Sequence, residues 1–414
     1  MIVWKRLFEH SCGRNRGSPD YAIARPWGSI AQFPWRNLWP FPDLRLRFAQ
    51  APIRATEDTV DFGIQLATAS HSWKLVKRAE ELGFTHAWFY DTQLLNADMF
   101  VAMAAAAMAT SRIRLGTGVL IPSNRIAPVA ASALASLNAL APGRIDFGVS
   151  TGFTARRTMG LRAISLARME EYIGVVRGLL KGEMVEWRGE KISHKVRFLN
   201  PELELINLHD PIPVHISAFG PRGRRLTAKL GAHWMVATRG AAAANAALDD
   251  MRLAWKEAGC DPATLYATAF GGGCVLADGE GADSPRAKAQ AGPAAAIVFH
   301  NNAEQDELGS IGFPTPPQFK AKFDAYREIY RKYEPADARY LSNHRGHLMF
   351  LRPEEQEIIT GDVIRAFTFT GTKGELIEGL RAMKAAGFRQ FGTHIRTGHE
   401  MAMLQDWADV IAKV

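Results

Sequence analysis

The sequence predicts an α/β protein built as a (β/α)8, or TIM, barrel with insertions. From Val60 onward, short apolar strands alternate with Ala-rich amphipathic helices, and several helices end at a glycine just before the next strand. Glycine suits the left-handed backbone position that terminates a helix. Strands without apolar–polar alternation, separated by helices, indicate a parallel sheet whose outer face is covered.

This alternation predicts eight strands and seven helices. The strands are expected near 60–66, 84–90, 113–120, 144–150, 212–218, 232–237, 264–276 and 389–395. The helices are expected near 71–82, 97–109, 127–140, 165–181, 222–230, 243–258 and 374–386.

The main rival is an open doubly wound sheet, which should carry a GxGxxG pattern after its first strand. The first strand, DFGIQL, is followed by no such pattern. In the third strand, Gly116-Thr-Gly118 lacks a third glycine, and Pro122 follows instead of a helix. The barrel is therefore the better interpretation.

The barrel is assigned to residues 59–414 and carries two insertions, near 183–210 and 277–372. The first insertion resembles a short hairpin. Long insertions at the carboxyl ends of barrel strands commonly shape the substrate pocket, although a packing or dimer element is the alternative. Residues 1–58 form an atypical extension rich in Trp, Pro and Arg, with neither helical nor strand periodicity. We expect this extension to be loosely packed or disordered, and an organelle transit peptide is a less favoured interpretation.

Composition excludes several classes of protein. The 414 residues carry a formal charge of +8, with basic residues scattered rather than striped, and no nucleic-acid-binding module is legible. No run approaches the roughly 18–20 apolar residues of a membrane span. Three widely separated cysteines, Cys12, Cys260 and Cys274, predict a reducing, cytoplasmic setting without disulfides or structural zinc.

In a barrel, chemistry is expected at the carboxyl ends of the strands. Those ends are rich in small and hydroxyl residues and poor in metal ligands: Asp91-Thr-Gln93, Thr117-Gly-Val119, Ser150-Thr-Gly152, Ser217-Ala-Phe-Gly220, Thr238-Arg-Gly240 and Thr393-His394. The two glycines in the third strand, IRLGTGVLIP, would cost stability in a buried strand unless something must approach the backbone.

The segments WFYDTQLL, ATSRIRLGTGVLIPSNRIAPVAASALASLNALAPGRIDFGVSTG and PVHISAFGPRGRRLTAKLGAHWMVA carry a family resemblance. Over residues 60–275, and more loosely 370–396, the chain resembles the bacterial-luciferase-like flavin-dependent oxidoreductases, nearest their methylenetetrahydromethanopterin-reductase-like branch. The resemblance implies a TIM barrel, often a homodimer, that binds FMN or the deazaflavin coenzyme F420 at its carboxyl-terminal face.

The resemblance also implies where a flavin ring would lie. It places the ring against Thr117, Gly118 and Val119, with a non-prolyl cis peptide between Gly118 and Val119. The alternative is a glycine bulge that merely relieves crowding inside the barrel.

A second implied feature is the phosphate site in the segment Gly220-Pro-Arg-Gly-Arg-Arg225. Here a helix start offers free N–H groups beside guanidiniums. We expect Gly220, Arg222 and Gly223 to hold the phosphate. Ser150, Gly152 and Ser217 would complete the cradle. A solvated basic helix start is the alternative.

Two residues are candidates for catalysis. Asp91, carried over from the family, would lie beside flavin or substrate, although Thr92 follows it where deazaflavin-using relatives often have histidine. The alternative role for Asp91 is a helix N-cap. His394 ends the last strand at a position suited to acid–base chemistry, with a structural histidine as its alternative. Asn124 and Arg125 match a region that borders the substrate pocket in relatives.

Metal chemistry is not expected. No His-x-His follows the first strand. His344 and His347 in SNHRGH have a spacing that could hold a metal, but no third ligand is evident from the sequence.

The resemblance favours a two-component monooxygenase, in which reduced FMN from a partner flavin reductase reacts with O2 and oxygenates a small organic substrate. One alternative is hydride transfer between F420 and the substrate, and Arg224 and Arg225 would suit the polyglutamate tail of F420. Another alternative is a non-catalytic flavin-binding protein.

Overall fold

Eight parallel strands close into a barrel in the order β1-β12-β9-β8-β7-β4-β3-β2, and helices surround it. The computed structural model describes residues 60–189, 192–309 and 315–414. The extension predicted for residues 1–58 lies outside the described residues. The strands of the described chain are β1 (Asp61–Leu66), β2 (His86–Phe89), β3 (Arg114–Thr117), β4 (Ile145–Val149), β5 (Val185–Arg188), β6 (Ser193–Val196), β7 (Val214–Ser217), β8 (His233–Ala237), β9 (Ala267–Gly271), β10 (Val275–Leu276), β11 (Gly371–Thr372) and β12 (Gln390–Ile395).

The helices that follow these strands confirm the predicted alternation. In the described chain they are α1 (Ser72–Glu81), α2 (Met99–Ala109), α3 (Ala127–Leu140), α4 (Thr154–Arg157), α5 (Leu166–Leu180), α6 (Pro221–Lys229), α7 (Ala241–Glu257), α8 (Pro285–Ala303), α9 (Gln305–Leu308), α10 (Lys320–Arg331), α11 (Arg339–Asn343), α12 (Gly361–Phe367), α13 (Lys373–Ala386) and α14 (Glu400–Ile411). Every predicted barrel strand and helix is present, with ends shifted by a few residues. One correction concerns the strand predicted over 264–276, which is split into β9 and β10.

The two insertions differ in character. The predicted hairpin consists of β5 and β6, which pair antiparallel with Val185 opposite Val196. The second insertion is mainly helical and contains α8 to α12. It has an apolar core of its own, in which Phe299 stacks on Phe323 with ring centroids 4.2 Å apart. It is therefore a packed layer rather than a long loop.

The glycines of β3 make room for a tryptophan. A Cβ atom on Gly116 would lie 2.3 Å from the Trp88 ring, and one on Gly118 would lie 2.7 Å from the Trp88 Cβ. Trp88 is fully buried and packs with Met235 and Phe270 in the barrel interior. At both glycines the space that a side chain would take is occupied by Trp88, because the barrel interior must be filled. The contact of a flavin ring with this backbone stays a prediction.

The amino-terminal end of the barrel is filled by charged and aromatic side chains. Arg114 donates to Asp146 at 2.8 Å, and His215 Nε2 lies 3.2 Å from the same carboxylate. Burial alone would raise the pKa of Asp146, but Arg114 and His215 hold it far below its usual value. Burial also lowers the pKa of His86 to about 4 and that of His233 to about 3. Asp146 is thus ionised, while both histidines are neutral at neutral pH.

Among the described residues, no helix has both the length and the apolar character needed to cross a bilayer.

Candidate active site

The carboxyl ends of the strands converge on one face of the barrel, and the predicted site residues lie there. The peptide bond between Gly118 and Val119 is cis, as the family resemblance implied. Val119 is partly buried and packs on the layer formed by Trp88, Met235 and Phe270. The backbone after β3 therefore forms the edge of this face, with an aromatic layer beneath it.

Three of the predicted cofactor contacts are partly committed to neighbours in the barrel. Thr117 is fully buried, and its hydroxyl donates to the Gly148 carbonyl at 2.6 Å. Ser150 donates to the Ser217 carbonyl at 3.0 Å, which joins the ends of β4 and β7. Gly152 has a φ of +87°, a left-handed conformation that favours glycine. Thr117 therefore has a structural use for its hydroxyl, whereas the loop over 150–152 borders the face.

The predicted phosphate site is open. Helix α6 begins after Gly220, and a Cβ atom there would meet no atom within 4 Å. Gly223 lies close to β7, since its Cβ would be 3.0 Å from that of Ala218. Arg222 is exposed and has no ion-pair or hydrogen-bond partner among the described residues, whereas Arg224 donates to Phe219 and Asp250. Free N–H groups and an uncommitted guanidinium suit an anion.

Asp91 lies after β2 and is almost fully buried. Its carboxylate accepts hydrogen bonds from the Ile121 N–H at 3.0 Å and from Arg125 Nη1 at 2.8 Å. Asn124 donates to Gln93 at 2.7 Å in the same network. The alternative N-cap role for Asp91 is wrong, because Asp98 caps α2. Asp91, Asn124 and Arg125 are thus brought together, chiefly as partners of one another.

His394 forms a cluster with two residues that the sequence analysis did not single out. The Tyr90 hydroxyl and His394 Nδ1 are hydrogen-bonded. Tyr90 directly follows β2, His394 is the next-to-last residue of β12, and β1 lies between these two strands. Arg396 is fully buried and donates to the Gln290 and Leu348 carbonyls at 3.0 and 2.9 Å. Its Nη2 has no hydrogen-bond partner among the described residues, although its charge acts on Tyr90 and His394.

Burial controls the protonation of this cluster. Burial, reinforced by the Arg396 charge, holds the pKa of His394 well below its usual value. Burial raises the pKa of Tyr90, and the nearby Arg396 only partly opposes that shift. At neutral pH the cluster therefore contains a neutral imidazole, a neutral phenol and one guanidinium with a free N–H. Such a set can exchange a proton with a ligand and donate to an oxygen that gains negative charge.

A profile of the luciferase-like monooxygenase family matches residues 50–390, which is most of the chain. The chain belongs to this family. Within the luciferase-like family, 5,10-methylenetetrahydromethanopterin reductase of Methanolobus tindarius is 29% identical over 219 residues, covering 50% of this chain and 64% of that enzyme. The F420-dependent glucose-6-phosphate dehydrogenase of Beutenbergia cavernae is 34% identical over 135 residues, covering 31% of this chain and 39% of that enzyme. The matched regions thus span less than two thirds of either relative.

Solved structures of the luciferase-like family share the fold. The coenzyme F420 dependent tetrahydromethanopterin reductase from Methanopyrus kandleri superposes with a TM-score of 0.62 at 19% identity, covering 85% of this chain and 98% of that one. The FMN complex of the 3,6-diketocamphane monooxygenase oxygenating constituent from Pseudomonas putida has a TM-score of 0.56 at 13% identity, covering 86% and 99%. At these identities the likeness shows the fold alone.

Strand parity is a signal that could have found Tyr90 and Arg396. Successive residues of a strand face opposite sides, so Tyr90 shares the inward parity of Trp88, and Arg396 shares that of His394. An arginine at such a position, just beyond an apolar strand, requires specific partners. The prediction from sequence included His394 but not the Arg396 guanidinium.

His344 and His347 lie in the second insertion and are joined by a third histidine. His300, from α8, brings its Nδ1 within 3.2 Å of His347 Nδ1, and His344 Nδ1 lies 3.3 Å from the same atom. All three side chains are buried. A third histidine, which the sequence did not reveal as a partner, therefore lies beside these two and comes from 44 residues before His344.

Proposed function

We propose that this protein is an F420-dependent oxidoreductase that transfers a hydride between the coenzyme and a small organic substrate. The observation that carries the proposal is the set of curated relatives at about 30% identity, which includes F420-dependent dehydrogenases from Beutenbergia cavernae and Mycobacterium tuberculosis. The FMN-dependent monooxygenase favoured from the sequence has less support, since the monooxygenases among the structural neighbours are 13–18% identical and share the fold alone. Hydride transfer therefore replaces monooxygenation as the leading function.

The residues present fit a phosphate-bearing flavin coenzyme. The open helix start at Gly220, with Arg222 uncommitted within the described chain, would hold an anionic phosphate. Ser150, Gly152 and the cis-linked Val119 would border the ring on the same barrel face. When bound, the deazaflavin supplies the hydride donor or acceptor.

The chain's own part in the reaction is proton transfer and charge stabilisation. In the direction of alcohol oxidation, His394 would take the proton of the substrate hydroxyl, and bound F420 would supply the hydride acceptor. His394 can take that proton at Nε2 in the neutral tautomer whose Nδ1–H donates to the Tyr90 hydroxyl. Arg396 Nη2, which has no partner in the described chain, would donate to the substrate oxygen as its negative charge develops.

This assignment resolves the absence of a histidine after Asp91. Asp91 is bound to Arg125 and to the Ile121 N–H, so it orders the loop after β3. His394, on the other side of β1, is the histidine that reaches the same face. We therefore propose that acid–base chemistry falls to His394, with Asp91 as a positioning residue.

Binding measurements test the choice of coenzyme. The full-length protein is titrated separately with F420 and with FMN, and the dissociation constant is obtained from fluorescence quenching. We expect tight binding of F420 and turnover of F420 without O2 uptake. Tight binding of reduced FMN with O2 consumption, and no affinity for F420, would restore the monooxygenase; affinity for either coenzyme without any turnover would favour a non-catalytic flavin-binding protein.

A matched pair of variants tests the phosphate site. Arg222→Ala removes a cation from the start of α6, and Lys229→Ala removes one from the exposed end of the same helix. We expect Arg222→Ala to weaken F420 binding by at least about tenfold, because a hydrogen bond to a charged group contributes roughly 1.5–3 kcal/mol and about 1.4 kcal/mol is a factor of ten. Lys229→Ala should leave the affinity unchanged. Equal affinities for both variants would remove Arg222 from the site.

The oligomeric state of the protein is also a proposal. A homodimer is expected from the family resemblance, and sedimentation analysis of the purified protein tests it. A partner flavin reductase is required only for the FMN alternative, since F420 can arrive already reduced.

A further inference from the structure

The second insertion contains three buried histidines whose Nδ1 atoms converge. His300 lies on α8, and His344 and His347 follow α11. The Nδ1 atom of His347 is 3.2 Å from that of His300 and 3.3 Å from that of His344. The three side chains are 1–4% exposed, so bulk water does not solvate these nitrogens.

Two carboxylates fix which nitrogen of each ring carries the proton. His300 Nε2 lies 2.6 Å from Glu355, and His344 Nε2 lies 2.9 Å from Glu304. Both carboxylates are also paired with buried guanidiniums, Glu304 with Arg157 and Glu355 with Arg352. An ionised carboxylate only accepts, so the Nε2 atoms of His300 and His344 carry the protons.

The inward-facing Nδ1 atoms therefore present lone pairs to one another. His347 Nε2 lies 3.0 Å from the Thr154 hydroxyl, which can accept its proton in the same way. Three lone pairs then meet with no donor between them. Even a proton on His347 Nδ1 could satisfy only one of its two neighbours. A buried acceptor without a partner costs about 1–3 kcal/mol, so this arrangement calls for a further group.

The spacing matches a transition-metal ion. Ligand nitrogens about 2.0–2.1 Å from a tetrahedral zinc ion lie about 3.3–3.4 Å apart, as simple geometry requires. The observed nitrogen–nitrogen separations of 3.2 and 3.3 Å lie within about 0.2 Å of that range. Metal-bound histidines also commonly donate their other N–H to a carboxylate or another oxygen, as all three rings do here.

We propose that His300, His344 and His347 bind a divalent first-row transition ion such as Zn²⁺ through their Nδ1 atoms. Glu355, Glu304 and Thr154 orient the rings. Three protein ligands leave a fourth position for water or an anion. The ion would replace the missing donor between the rings.

The proposed metal site fastens the insertion to the barrel. Thr154 belongs to α4, directly after the loop over 150–152. The Phe153 ring contacts His344 and His347 edge-on, with centroids 6.4 and 6.2 Å apart. Arg157, also in α4, lies 4.4 Å from the Phe153 centroid while it pairs with Glu304. Metal binding would therefore stiffen the wall of the candidate active site.

Cobalt titration of the full-length protein tests the site. The protein is purified without a polyhistidine tag, stripped with a chelator, and titrated with Co²⁺ while visible absorption is recorded. We expect one Co²⁺ per chain, with the intense ligand-field bands of a tetrahedral site, and a higher melting temperature after Zn²⁺ is restored. A stripped protein that binds no Co²⁺ at stoichiometric concentration would overturn the proposal.

Two variants keep the test informative if a histidine deletion unfolds the chain. His347→Cys retains a ligand and should add a near-ultraviolet thiolate-to-cobalt charge-transfer band that the wild-type cysteines do not give. His215→Gln alters a buried histidine at the opposite end of the barrel, and its Co²⁺ spectrum should equal that of the wild type. A folded His347→Cys protein without the new band, or loss of Co²⁺ from His215→Gln alone, would contradict the assignment.

Discussion

The two ends of the barrel contain similar side chains in opposite arrangements. At the amino-terminal end, the buried Asp146 pairs with the partly exposed Arg114, and His215 joins them. At the carboxyl-terminal end, the fully buried Arg396 lies near the partly buried His394, and Arg396 Nη2 has no hydrogen-bond partner in the described chain. Charges that neutralise one another stabilise a fold, whereas a charge with a free donor is available to a ligand. We therefore infer that the amino-terminal end stabilises the fold, and we propose that the reaction takes place at the carboxyl-terminal end.

The largest expected effect is on catalysis at the reactive end. His394→Gln should lower kcat by about 10²–10⁴-fold, the usual contribution of a general acid or base, with little change in melting temperature. The matched variant His215→Gln should lower the melting temperature and leave kcat unchanged. Steady-state kinetics and thermal unfolding check both, and a His394→Gln enzyme with nearly full activity would end the proposed proton-transfer role.

The next effect is on stability at the other end. Asp146→Asn removes the counter-ion of the partly exposed Arg114 and should lower the free energy of unfolding by about 1.5–3 kcal/mol, the usual contribution of hydrogen bonds to a charged group. Asp250→Asn breaks an exposed pair with Arg224 and should cost less than about 1 kcal/mol. Chemical denaturation measures both values. Similar losses for the two variants would show that the barrel end is not a special stabilising element.

A smaller effect concerns packing between the two ends. Gly116→Ala would place a Cβ atom 2.3 Å from the buried Trp88 ring and should destabilise the protein by about 1–3 kcal/mol. Gly220→Ala enters open space with a φ of −95° and should change stability by less than about 0.5 kcal/mol. Urea unfolding compares the two. A neutral Gly116→Ala would mean that the Trp88 layer yields easily.

The smallest expected effect is the loss of folding stability as the pH falls by one unit. His86 and His233 have folded-state pKa values of about 4 and about 3, below the 6.5 of an ordinary histidine, because both are buried. The unfolded chain therefore binds more protons between pH 6.5 and 4, and stability falls as pH falls through that range. Each histidine should contribute about 1.4 kcal/mol per pH unit. In unfolding measured at several pH values, His86→Gln should reduce the slope, and an unchanged slope would contradict this cause.

The strands, helices and cis peptide could be predicted because they depend on local pattern and on a family resemblance. The run Ala127–Leu140 was placed without error, since Pro128 and the flanking polar segments mark its start and its end. The end of the strand predicted over 264–276 was not, because three successive glycines at 271–273 interrupt it. Those glycines admit the segment around Phe369, with a Gly273 Cβ only 1.9 Å from the Phe369 carbonyl. Such a contact between distant segments leaves no periodic trace.

Site residues could be predicted only where they lie at the carboxyl ends of strands. His394 was predicted because it lies at the end of the last strand, but its hydrogen bond to Tyr90 joins residues 304 positions apart. The glycines of β3 signalled a close approach, yet not that Trp88 of the neighbouring strand makes it. The proximity of His300 to His344 and His347 could not be predicted, because His300 lies in a helix far from them along the chain. Pairing across the fold decided each of these cases.

The bond between Arg157 and Glu304 bears on how new specificities could arise in this family. Loop exchange between homologues is a common route to altered substrate range, and the helical insertion is the obvious module to exchange. Here that module and the short α4 helix share an interlocking set of contacts through Arg157, Thr154 and His347. A chimera that receives a foreign insertion without the matching α4 would leave the buried Arg157 guanidinium without its carboxylate. Functional chimeras must therefore exchange the insertion and α4 together.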